Sequence, residues 1–374
     1  MRHLPELFLF FTLLMGLPDW YIFRRYIRHL KNQWIRILYW FPSLLLLLSM
    51  IILFIAYEPS PETMNYLGIF LVIFLCINVP KVFFILTSFL FKVRISATIS
   101  LLIMGYLLFG ATKGKQHFHV KEVNIQSEEI PNAFDGFRIV HISDIHCGSW
   151  AGNTKPLQKA VKLINAQNPD LIVFTGDLVN NLANELDDYM SVLSQLKAKQ
   201  GVYSVMGNHD YSMYIPWETE EAKAKEIQTL RNKQAQMGWT LLDNQHVKLY
   251  QENDSIALIG VENSGRPPFP DYARLTDAMQ GTEGMFQILL SHDPSHWKRE
   301  ILPYTDINLT LSGHTHAMQT KILGFTPAQF IYEENDGLYQ EDNQMLYVNI
   351  GLGYLLYPMR LGAWPEITVL TLKK

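Results

Sequence analysis

Long stretches without charge in the first third of the chain predict helices that cross a membrane. Three such runs cover residues 37–57, 63–80 and 95–112, with lengths of 21, 18 and 18 residues. A helix of about 20 apolar residues crosses a hydrocarbon core of about 30 Å. One run alone could be a buried helix of a large soluble domain, whereas three in succession predict a transmembrane region. The run 63–80 could extend past Lys81 toward Phe91.

A fourth apolar run, from Leu7 to Phe23, contains Pro18 and Asp19. Because these two residues interrupt the apolar pattern, the segment could span the membrane, lie at its interface or act as an uncleaved signal-like segment. We therefore expect a transmembrane region of three to four helices over residues 1–112, followed by a short linker over residues 113–120.

Basic residues predict the orientation of this region in a bacterial cytoplasmic membrane. The run 37–57 is preceded by Arg24, Arg25, Arg28, Lys31 and Arg36 and followed by Glu58 and Glu62. Short basic loops remain in the cytoplasm, so this helix is expected to run outward and the domain after Thr112 to emerge on the non-cytoplasmic face. Lys113 and Lys115, beyond the last run, oppose that orientation.

The second part of the chain, residues 121–374, alternates apolar runs of strand length with helical patterns. Predicted strands cover 137–142, 171–174, 202–206, 239–242, 256–261, 286–290, 307–311, 345–350 and 367–372, and predicted helices cover 155–167, 183–198 and 219–237. Strands that are apolar on both faces indicate sheets covered by helices. The sequence therefore predicts an α/β fold, a four-layer helix/sheet/sheet/helix sandwich.

Five short motifs follow these strands and supply oxygen and imidazole groups. They are Asp144-Ile145-His146, Gly176-Asp177, Gly207-Asn208-His209-Asp210, Ser291-His292 and Gly313-His314-Thr315-His316. Mixed oxygen and nitrogen ligands suit divalent Mn, Fe or Zn ions. Residues i and i+2 of a strand face the same way, so Asp144 is expected to present a ligand beside His146, and His314 beside His316. Asp177 follows a glycine that permits a sharp turn, and its two oxygens could bridge two ions.

The order of these motifs resembles that of the calcineurin-like metallophosphoesterase superfamily over residues 135–374, and the helical anchor resembles that of its membrane-anchored bacterial members. The resemblance implies two metal ions. One would be held by Asp144, His146, Asp177 and His316, and the other by Asp177, Asn208, His292 and His314. It also implies that a water or hydroxide bridging the two ions attacks phosphorus in line, without a covalent enzyme intermediate.

Three further features carry expectations from the same resemblance. His209 is implied as the general acid or transition-state donor, with Asp210 orienting its ring and raising its pKa. Arg360 is a candidate for binding a phosphate group through paired hydrogen bonds, the alternative being a structural pair with Glu366. The family commonly continues G-H-T-H with two glycines and a glutamine, whereas this chain has Ala317, Met318 and Gln319, which are expected to reshape the pocket floor.

Charge and anchoring narrow the class of substrate. Residues 117–374 contain 20 Lys or Arg against 31 Asp or Glu, which argues against an extended nucleic-acid surface. An anchored domain lies at the lipid bilayer, so an amphiphilic, lipid-linked phosphodiester or pyrophosphate is the expected substrate. Residues 265–272 are expected to form a stiff rim of the site, and residues 324–339 a second rim segment that could act as a lid. The alternative is a non-catalytic membrane protein that binds a metal, a phosphorylated ligand or a partner with this fold, and oligomeric state stays open.

Overall fold

The computed structural model describes residues 4–55 and 60–374, without the side chains of residues 4, 5, 61 and 62. The chain forms two compact units, one of Met1–Gly114 with Leu356–Met359 and one of Lys115–Leu355 with Arg360–Lys374. In the first unit the helices are α1 (Leu4–Ile22), α2 (Gln33–Leu38), α3 (Phe41–Ile55), α4 (Pro61–Ser88) and α5 (Val93–Thr112). Phe23–Ile27 extends α1 as a π-helical turn.

Four stretches of the described residues are helical, long enough and apolar enough to cross a membrane. They are Glu6–Ile27, Gln33–Ile55, Thr63–Ser88 and Val93–Gln116. The run from Leu7, which the sequence left open, belongs to the first of them, and Pro18 lies inside α1. The extension past Lys81 is confirmed, because α4 continues to Ser88. The predicted run 37–57 ends at Tyr57, and this end and the following Glu58 lie outside the described residues.

A buried ion pair joins three of these helices. Asp19 of α1 is 1% exposed, and its carboxylate lies 2.7 Å from Nζ of Lys81 in α4. The Tyr39 hydroxyl donates to Asp19 at 3.2 Å, and Lys81 donates to Oγ of Ser43 in α3 at 3.0 Å. Charged groups at such depth are costly unless paired, so these contacts specify how the helices pack.

The second unit contains two mixed six-stranded sheets. The first has the order β1-β12-β2-β3-β4-β5 and the second β10-β11-β9-β8-β7-β6. The strands are β1 (His119–Gln126), β2 (Arg138–Ile142), β3 (Leu171–Phe174), β4 (Val202–Ser204), β5 (Trp239–Leu241), β6 (Gln245–Gln251), β7 (Asp254–Gly260), β8 (Phe286–Leu290), β9 (Leu309–Ser312), β10 (Gly337–Glu341), β11 (Gln344–Val348) and β12 (Glu366–Lys373). The helices are α6 (Lys155–Asn165), α7 (Met190–Leu193), α8 (Glu220–Gln236), α9 (Leu275–Met279) and α10 (Leu302–Tyr304).

Alternation along the strands builds the layers. Ile139 and Val173 of the first sheet pack with Ile288 of the second in one buried cluster between the sheets. Their neighbours Val140 and Ile172 face the opposite way, toward a cluster that includes α6. On the outer face of the second sheet, a third cluster brings strand residues against α9 and the turn at Trp297. The predicted four-layer sandwich is confirmed.

Several predicted elements differ from the observed ones. The helix expected over 183–198 is instead a 3-10 turn (Ala183–Leu186) followed by the short α7. Here the Glu185 carboxylate accepts hydrogen bonds from the backbone N–H groups of Asn180, Asn181 and Leu182, which caps the start of the 3-10 turn. Strands β1, β6 and β10 were missed because they are edge strands whose polar residues obscure the apolar pattern; β1 begins at His119, within the range 113–120.

Candidate metal centre

The predicted ligands meet where strands of both sheets end. In the first sheet β2, β3 and β4 run parallel, so the loops that carry Asp144, Asp177 and Asn208 leave from one edge. In the second sheet the parallel strands β8 and β9 lead to His292 and His314. The potential ligand atoms form two groups, and within each group all of them lie within 4.8 Å of one another. The first group contains Asp144, His146 and His316, and the second contains Asp177, His292 and His314.

Backbone turns, not strand alternation, aim these side chains. Asp144 and His146 have φ of 51° and 49°, and His314 and His316 have φ of 74° and 49°. Such left-handed residues do not continue a strand, so the expected i, i+2 geometry is wrong. Asp144 and His146 still fall in one group, whereas His314 and His316 belong to different groups. Asp177, with φ of 60°, turns in the same way after Gly176.

Asp177 lies between the two groups. Its Oδ2 is 3.2 Å from Nε2 of His292 and 3.6 Å from Nε2 of His146. Within the groups, Nε2 of His146 is 3.1 Å from Nε2 of His316, and Nδ1 of His314 is 3.2 Å from Nε2 of His292. One carboxylate therefore reaches the imidazoles of both groups, as a bridging ligand requires.

The donor set fits divalent cations. Asn208 is buried, and its Oδ1 has no hydrogen-bond partner among the described residues, while its Nδ2 donates to the Tyr214 hydroxyl at 2.6 Å. A buried acceptor without a donor is rare in proteins and needs a partner. The close imidazole nitrogens of the two groups also bring lone pairs together. A cation beside each group would satisfy these atoms.

Hydrogen bonds on the far side of three rings orient them. Nδ1 of His146 lies 3.1 Å from Oδ1 of Asn180, and Nδ1 of His292 lies 2.6 Å from the carbonyl oxygen of Thr175. If these nitrogens carry the protons, as their acceptors require, both Nε2 atoms keep a lone pair for a metal. Nε2 of His314 similarly lies 2.7 Å from the Tyr332 hydroxyl, which leaves Nδ1 toward the site.

Sequence reasoning missed these supporting residues. Asn180 lies three residues after Asp177, so its closeness to a motif was the available signal. Tyr332 lies in the predicted rim segment 324–339, which carries no ligand pattern. Thr175 acts through its backbone carbonyl, and a backbone group leaves no trace in residue type.

Burial controls protonation in the site. Burial lowers the pKa of His146 to about 3 and that of His314 to about 4, so both rings are neutral at pH 7. Burial also raises the pKa of Asp144 to about 7. For His292, burial acts downward, but the adjacent Asp177 carboxylate outweighs it and raises the pKa to about 10. A cation bound there would replace that proton.

His209 lies beside the two groups of ligand atoms, and Asn180 holds its ring. Its Nδ1 is 2.7 Å from the Asn180 carbonyl oxygen, and its ring centroid is 4.9 Å from that of His146. The expectation that Asp210 orients this ring is wrong. The Asp210 carboxylate instead accepts hydrogen bonds from backbone N–H groups at 2.8 to 3.2 Å, those of Asp177, Leu178, Val179 and Gly207. Asp210 thus positions the loop that carries Asp177.

Arg360 is placed where it cannot receive a phosphate group. Its side chain is fully buried, and its guanidinium donates to the carbonyl oxygens of Gly353, Ala363 and Ile350 at 2.7, 2.9 and 2.8 Å. Nη2 also lies 3.2 Å from Nδ1 of His316. The predicted substrate-binding role is therefore contradicted, and Arg360 supports the loop behind a predicted metal ligand.

Three aromatic side chains stand around the ligand groups. The Tyr214 ring lies 4.4 Å from that of His209 between centroids. Phe269, from the predicted rim 265–272, and Tyr332 lie 4.9 and 5.3 Å from the ring of His314. Together with the ligands they form a site that is polar at its base and aromatic at its edge.

The departure at residues 317–319 places three non-glycine residues in a left-handed backbone conformation. Ala317, Met318 and Gln319 all have positive φ, between 45° and 57°, a conformation in which glycine carries no strain. Ala317 is buried, whereas Met318 is 42% exposed. The side chain of Gln319 turns inward and accepts a hydrogen bond from the backbone N–H of Leu355 at 2.5 Å.

Comparisons with known proteins cover both parts of the chain. The family described as calcineurin-like phosphoesterase matches residues 137–318, which include all seven predicted metal ligands. The family described as probable calcineurin-like phosphoesterase, transmembrane domain, matches residues 1–102.

Individual relatives carry similar descriptions. The uncharacterized metallophosphoesterase YkuE of Bacillus subtilis is 35% identical over 265 residues, covering 67% of this chain and 84% of the relative. The transmembrane protein with metallophosphoesterase domain of Danio rerio is 33% identical over 279 residues and 71% of this chain, and the match spans 60% of that relative. Among solved structures, TT1561 of Thermus thermophilus aligns over 58% of this chain and 90% of its own, with 13% identity and a TM-score of 0.38.

Proposed function

Because this chain belongs to the calcineurin-like phosphoesterase family, we propose that it is a membrane-anchored phosphoesterase that hydrolyses a phosphodiester or pyrophosphate bond with two divalent metal ions. The observation that supports this most is the position of Asp177 between two buried groups of ligand atoms. Manganese, iron and zinc are the candidate metals, since they accept mixed carboxylate and imidazole ligands.

The ligand sets follow from the two groups. Asp144, His146 and His316 would hold one ion, His292, His314 and Asn208 the other, and Asp177 both. When bound, the two ions would polarise the phosphoryl oxygens and acidify a water molecule between them. The protein contributes rings fixed in one orientation, so the ligands do not have to reorganise during the reaction.

In this proposal His209 moves the proton. Its Nδ1 donates to the Asn180 carbonyl oxygen, so donation to the leaving-group oxygen would come from Nε2 of a ring that carries protons on both nitrogens. The ring would give up its Nε2 proton to the leaving group and remain neutral, with its Nδ1 proton still held by Asn180. The backbone N–H of His209 donates to Oδ1 of Asp177 at 2.9 Å, which couples the position of the ring to that of the bridging carboxylate. Asp210 acts through the Asp177 loop and is a positioning residue.

The substrate in this proposal is amphiphilic and lipid-linked. Four apolar helices anchor the chain, and the rings of Tyr214, Phe269 and Tyr332 offer an apolar edge to a site whose base is polar. A lipid-linked phosphodiester or pyrophosphate combines those two properties in one molecule. Incubating the purified chain with bacterial lipid extracts, and following phosphate-containing products by mass spectrometry, would identify the substrate.

Hydrolysis of a chromogenic bis-phosphodiester with added Mn²⁺ tests the activity. We expect Asp177→Asn to lose turnover together with bound metal, because it weakens the shared ligand. His209→Ala should keep its metal and lose turnover by a factor of about 10² to 10⁴, as for other general acids. Tyr304→Ala, a change at an exposed residue outside the five motifs, is the matched control and should behave as the wild type.

The result separates this proposal from the alternative of a non-catalytic binding protein. Turnover that is unchanged in both site variants would refute the catalytic assignment. Metal binding without turnover in the wild type, on diester and pyrophosphate probes alike, would favour the non-catalytic role. Since every ligand position of the family pattern carries a metal-binding side chain in this chain, we expect metal-dependent turnover.

A further inference from the structure

An exposed apolar hairpin follows directly after the last two metal ligands. It covers residues 318–331, in which Lys321 is the one charged residue. Its large apolar side chains are exposed: Met318 by 42%, Ile322 by 51%, Leu323 by 103%, Phe325 by 49%, Phe330 by 81% and Ile331 by 60%. Isolated apolar residues are common on protein surfaces, but six in fourteen residues of an otherwise acidic domain mark an interaction surface.

The hairpin is built to present these side chains. Ile322 and Phe325 exchange backbone hydrogen bonds of 2.9 and 3.0 Å across a turn in which Leu323 and Gly324 have φ of 51° and 85°. These are the dihedral signs of a tight two-residue hairpin turn. The turn therefore holds Leu323 at the tip of the hairpin, with its side chain exposed.

Two polar side chains of the same segment, those of Thr326 and Lys321, are paired at its base. Thr326 is 1% exposed, and its hydroxyl donates to the carbonyl oxygen of Ala317 at 2.5 Å. Thr326 also caps the 3-10 turn Pro327–Phe330 through the backbone N–H of Ala328. The ammonium group of Lys321 pairs with Asp336. Because Thr326 and Lys321 are paired at the base, neither polar group has to leave water unpaired when the apolar tip does. The side chain of Gln329, beside Phe330, is exposed.

We propose that this apolar hairpin inserts into the surface of the lipid bilayer that holds the chain. Six residues separate Thr112, the end of α5, from His119, and an extended chain of that length spans at most about 25 Å. The start of β1 therefore lies within that distance of the end of α5. Apolar side chains on a rigid element enter the boundary between headgroups and acyl chains favourably.

The chain path supports the bilayer as the occupant of this surface. Leu356–Met359 belongs to the unit of the spanning helices. Two residues later, Leu361 pairs with the base of the hairpin. Its N–H donates to the Gln319 carbonyl at 2.9 Å, and its own carbonyl accepts from the Lys321 N–H at 2.7 Å. The base of the hairpin is thus hydrogen-bonded to a residue that lies two positions after a segment of the first unit.

Insertion would fix the position of the two groups of ligand atoms relative to the lipid surface. The hairpin begins two residues after His316 and ends one residue before Tyr332, whose hydroxyl lies 2.7 Å from Nε2 of His314. Both ends are therefore tied to predicted metal ligands. The inference concerns where this surface lies and does not depend on catalytic activity.

Depth-dependent fluorescence quenching tests the insertion. The full chain would be placed in lipid nanodiscs with an environment-sensitive fluorophore on Leu323→Cys, and phosphatidylcholine that carries a spin label near its carbonyl groups would be the quencher. Tyr304→Cys, 78% exposed, is the matched control site. Cys76 and Cys147 are both buried, so labelling of the unmodified chain measures the background.

We expect quenching at Leu323 to be several-fold stronger than at Tyr304 and its emission to shift to shorter wavelength. A reporter on Ile331→Cys should be quenched too, and should lose that quenching when Leu323→Asp and Phe330→Asp are combined. The apolar pair Leu323→Met and Phe330→Leu should retain it.

Two results would overturn the proposal. The first is equal, weak quenching at Leu323 and Tyr304. The second is a shift to shorter wavelength without lipid quenching that occurs only in discs with two copies of the chain, which would assign the hairpin to a contact between copies.

Discussion

Arg360 shows how burial redefines the role of a residue. Its hydrogen bonds to three backbone carbonyl oxygens hold the loop behind His316. We expect Arg360→Lys to lower the free energy of unfolding by about 2–4 kcal/mol, because a lysine cannot satisfy three separated carbonyls and each buried unsatisfied group costs about 1–3 kcal/mol. Denaturant unfolding of the purified full chain measures the change.

Kinetic constants of Arg360→Lys distinguish a structural role of this residue from a role in binding phosphate. If this residue bound phosphate, the substitution would raise KM and leave unfolding unchanged. That outcome would contradict the buried geometry described for its side chain.

His141 makes stability depend on pH. It is fully buried in β2, its Nε2 lies 2.9 Å from Oγ1 of Thr175, and burial lowers its pKa from 6.5 to about 3. Between those two values the unfolded chain binds a proton on this ring and the folded chain does not. The stability contributed by the neutral ring is therefore present above pH 6.5 and is lost as the pH falls toward 3.

Replacing His141 tests this dependence. We expect His141→Gln to reduce the slope of unfolding free energy against pH by up to about 1.4 kcal/mol per pH unit, the value for one proton. Unfolding curves at several pH values, at constant metal concentration, measure both slopes. Parallel pH profiles for the two chains would show that this ring does not carry the effect.

At the residue scale, the sequence predicted which side chains come together better than it predicted what supports them. Asp144 and His316 fall in motifs whose spacing is specific, so the sequence alone was enough to predict that they meet in one group. Asp210 and Arg360 were assigned to chemistry because each lies next to such a residue or ends in a charged group. Their actual partners are backbone groups, and residue type alone does not reveal which backbone atoms face a buried side chain.

At the scale of elements, the ion pair of Asp19 and Lys81 allows a test of how the helices pack. Lys81→Met would leave Asp19 buried without its cation, which costs about 3 kcal/mol or more. We expect a clear drop in melting temperature for the single variant. Combining it with Asp19→Asn should restore part of the loss, because the uncompensated charge is then removed.

Thermal unfolding in one detergent measures this series of variants. The control is Lys92→Met, which changes a lysine at the N-terminal cap of α5 and should have little effect. Equal stability of the single and double variants would indicate that the pair contributes nothing to packing.

Elements with a uniform pattern were predicted well, and elements set by a single contact were not. The buried strands β3 and β8 and the helix α8 have patterns that extend over their full length. The region 183–198 has a helical pattern as well, but the structure has a 3-10 turn there (Ala183–Leu186), capped at its start by the Glu185 carboxylate, followed by the four residues of α7. Edge strands such as β1 receive too little burial to leave an apolar signature.

At the scale of the whole molecule, the number of spans decides the side of the catalytic domain. With four spans, the connection between the first two, inside the basic segment 24–36, and the connection between the last two, which ends at Lys92 just before Arg94, lie on one side of the membrane. We propose that this side is the cytoplasm and that the domain after α5 lies on the other face.

Reporter fusions test this orientation. Alkaline phosphatase, fused after Lys374, should be active in a bacterial host, and green fluorescent protein at the same position should be dark. Fusions after His29, in the first basic connection, should give the opposite pattern. A fluorescent fusion after Lys374 would reverse the proposed orientation.

The four spanning helices also change how reaction rates must be understood. A chain confined to a sheet of lipid meets any co-resident molecule by lateral diffusion in two dimensions. Encounter frequency then depends on the number of molecules per unit area, so adding inert phospholipid slows turnover even when the total amount of substrate is constant. For a freely soluble phosphoester, the same addition would leave the rate unaltered.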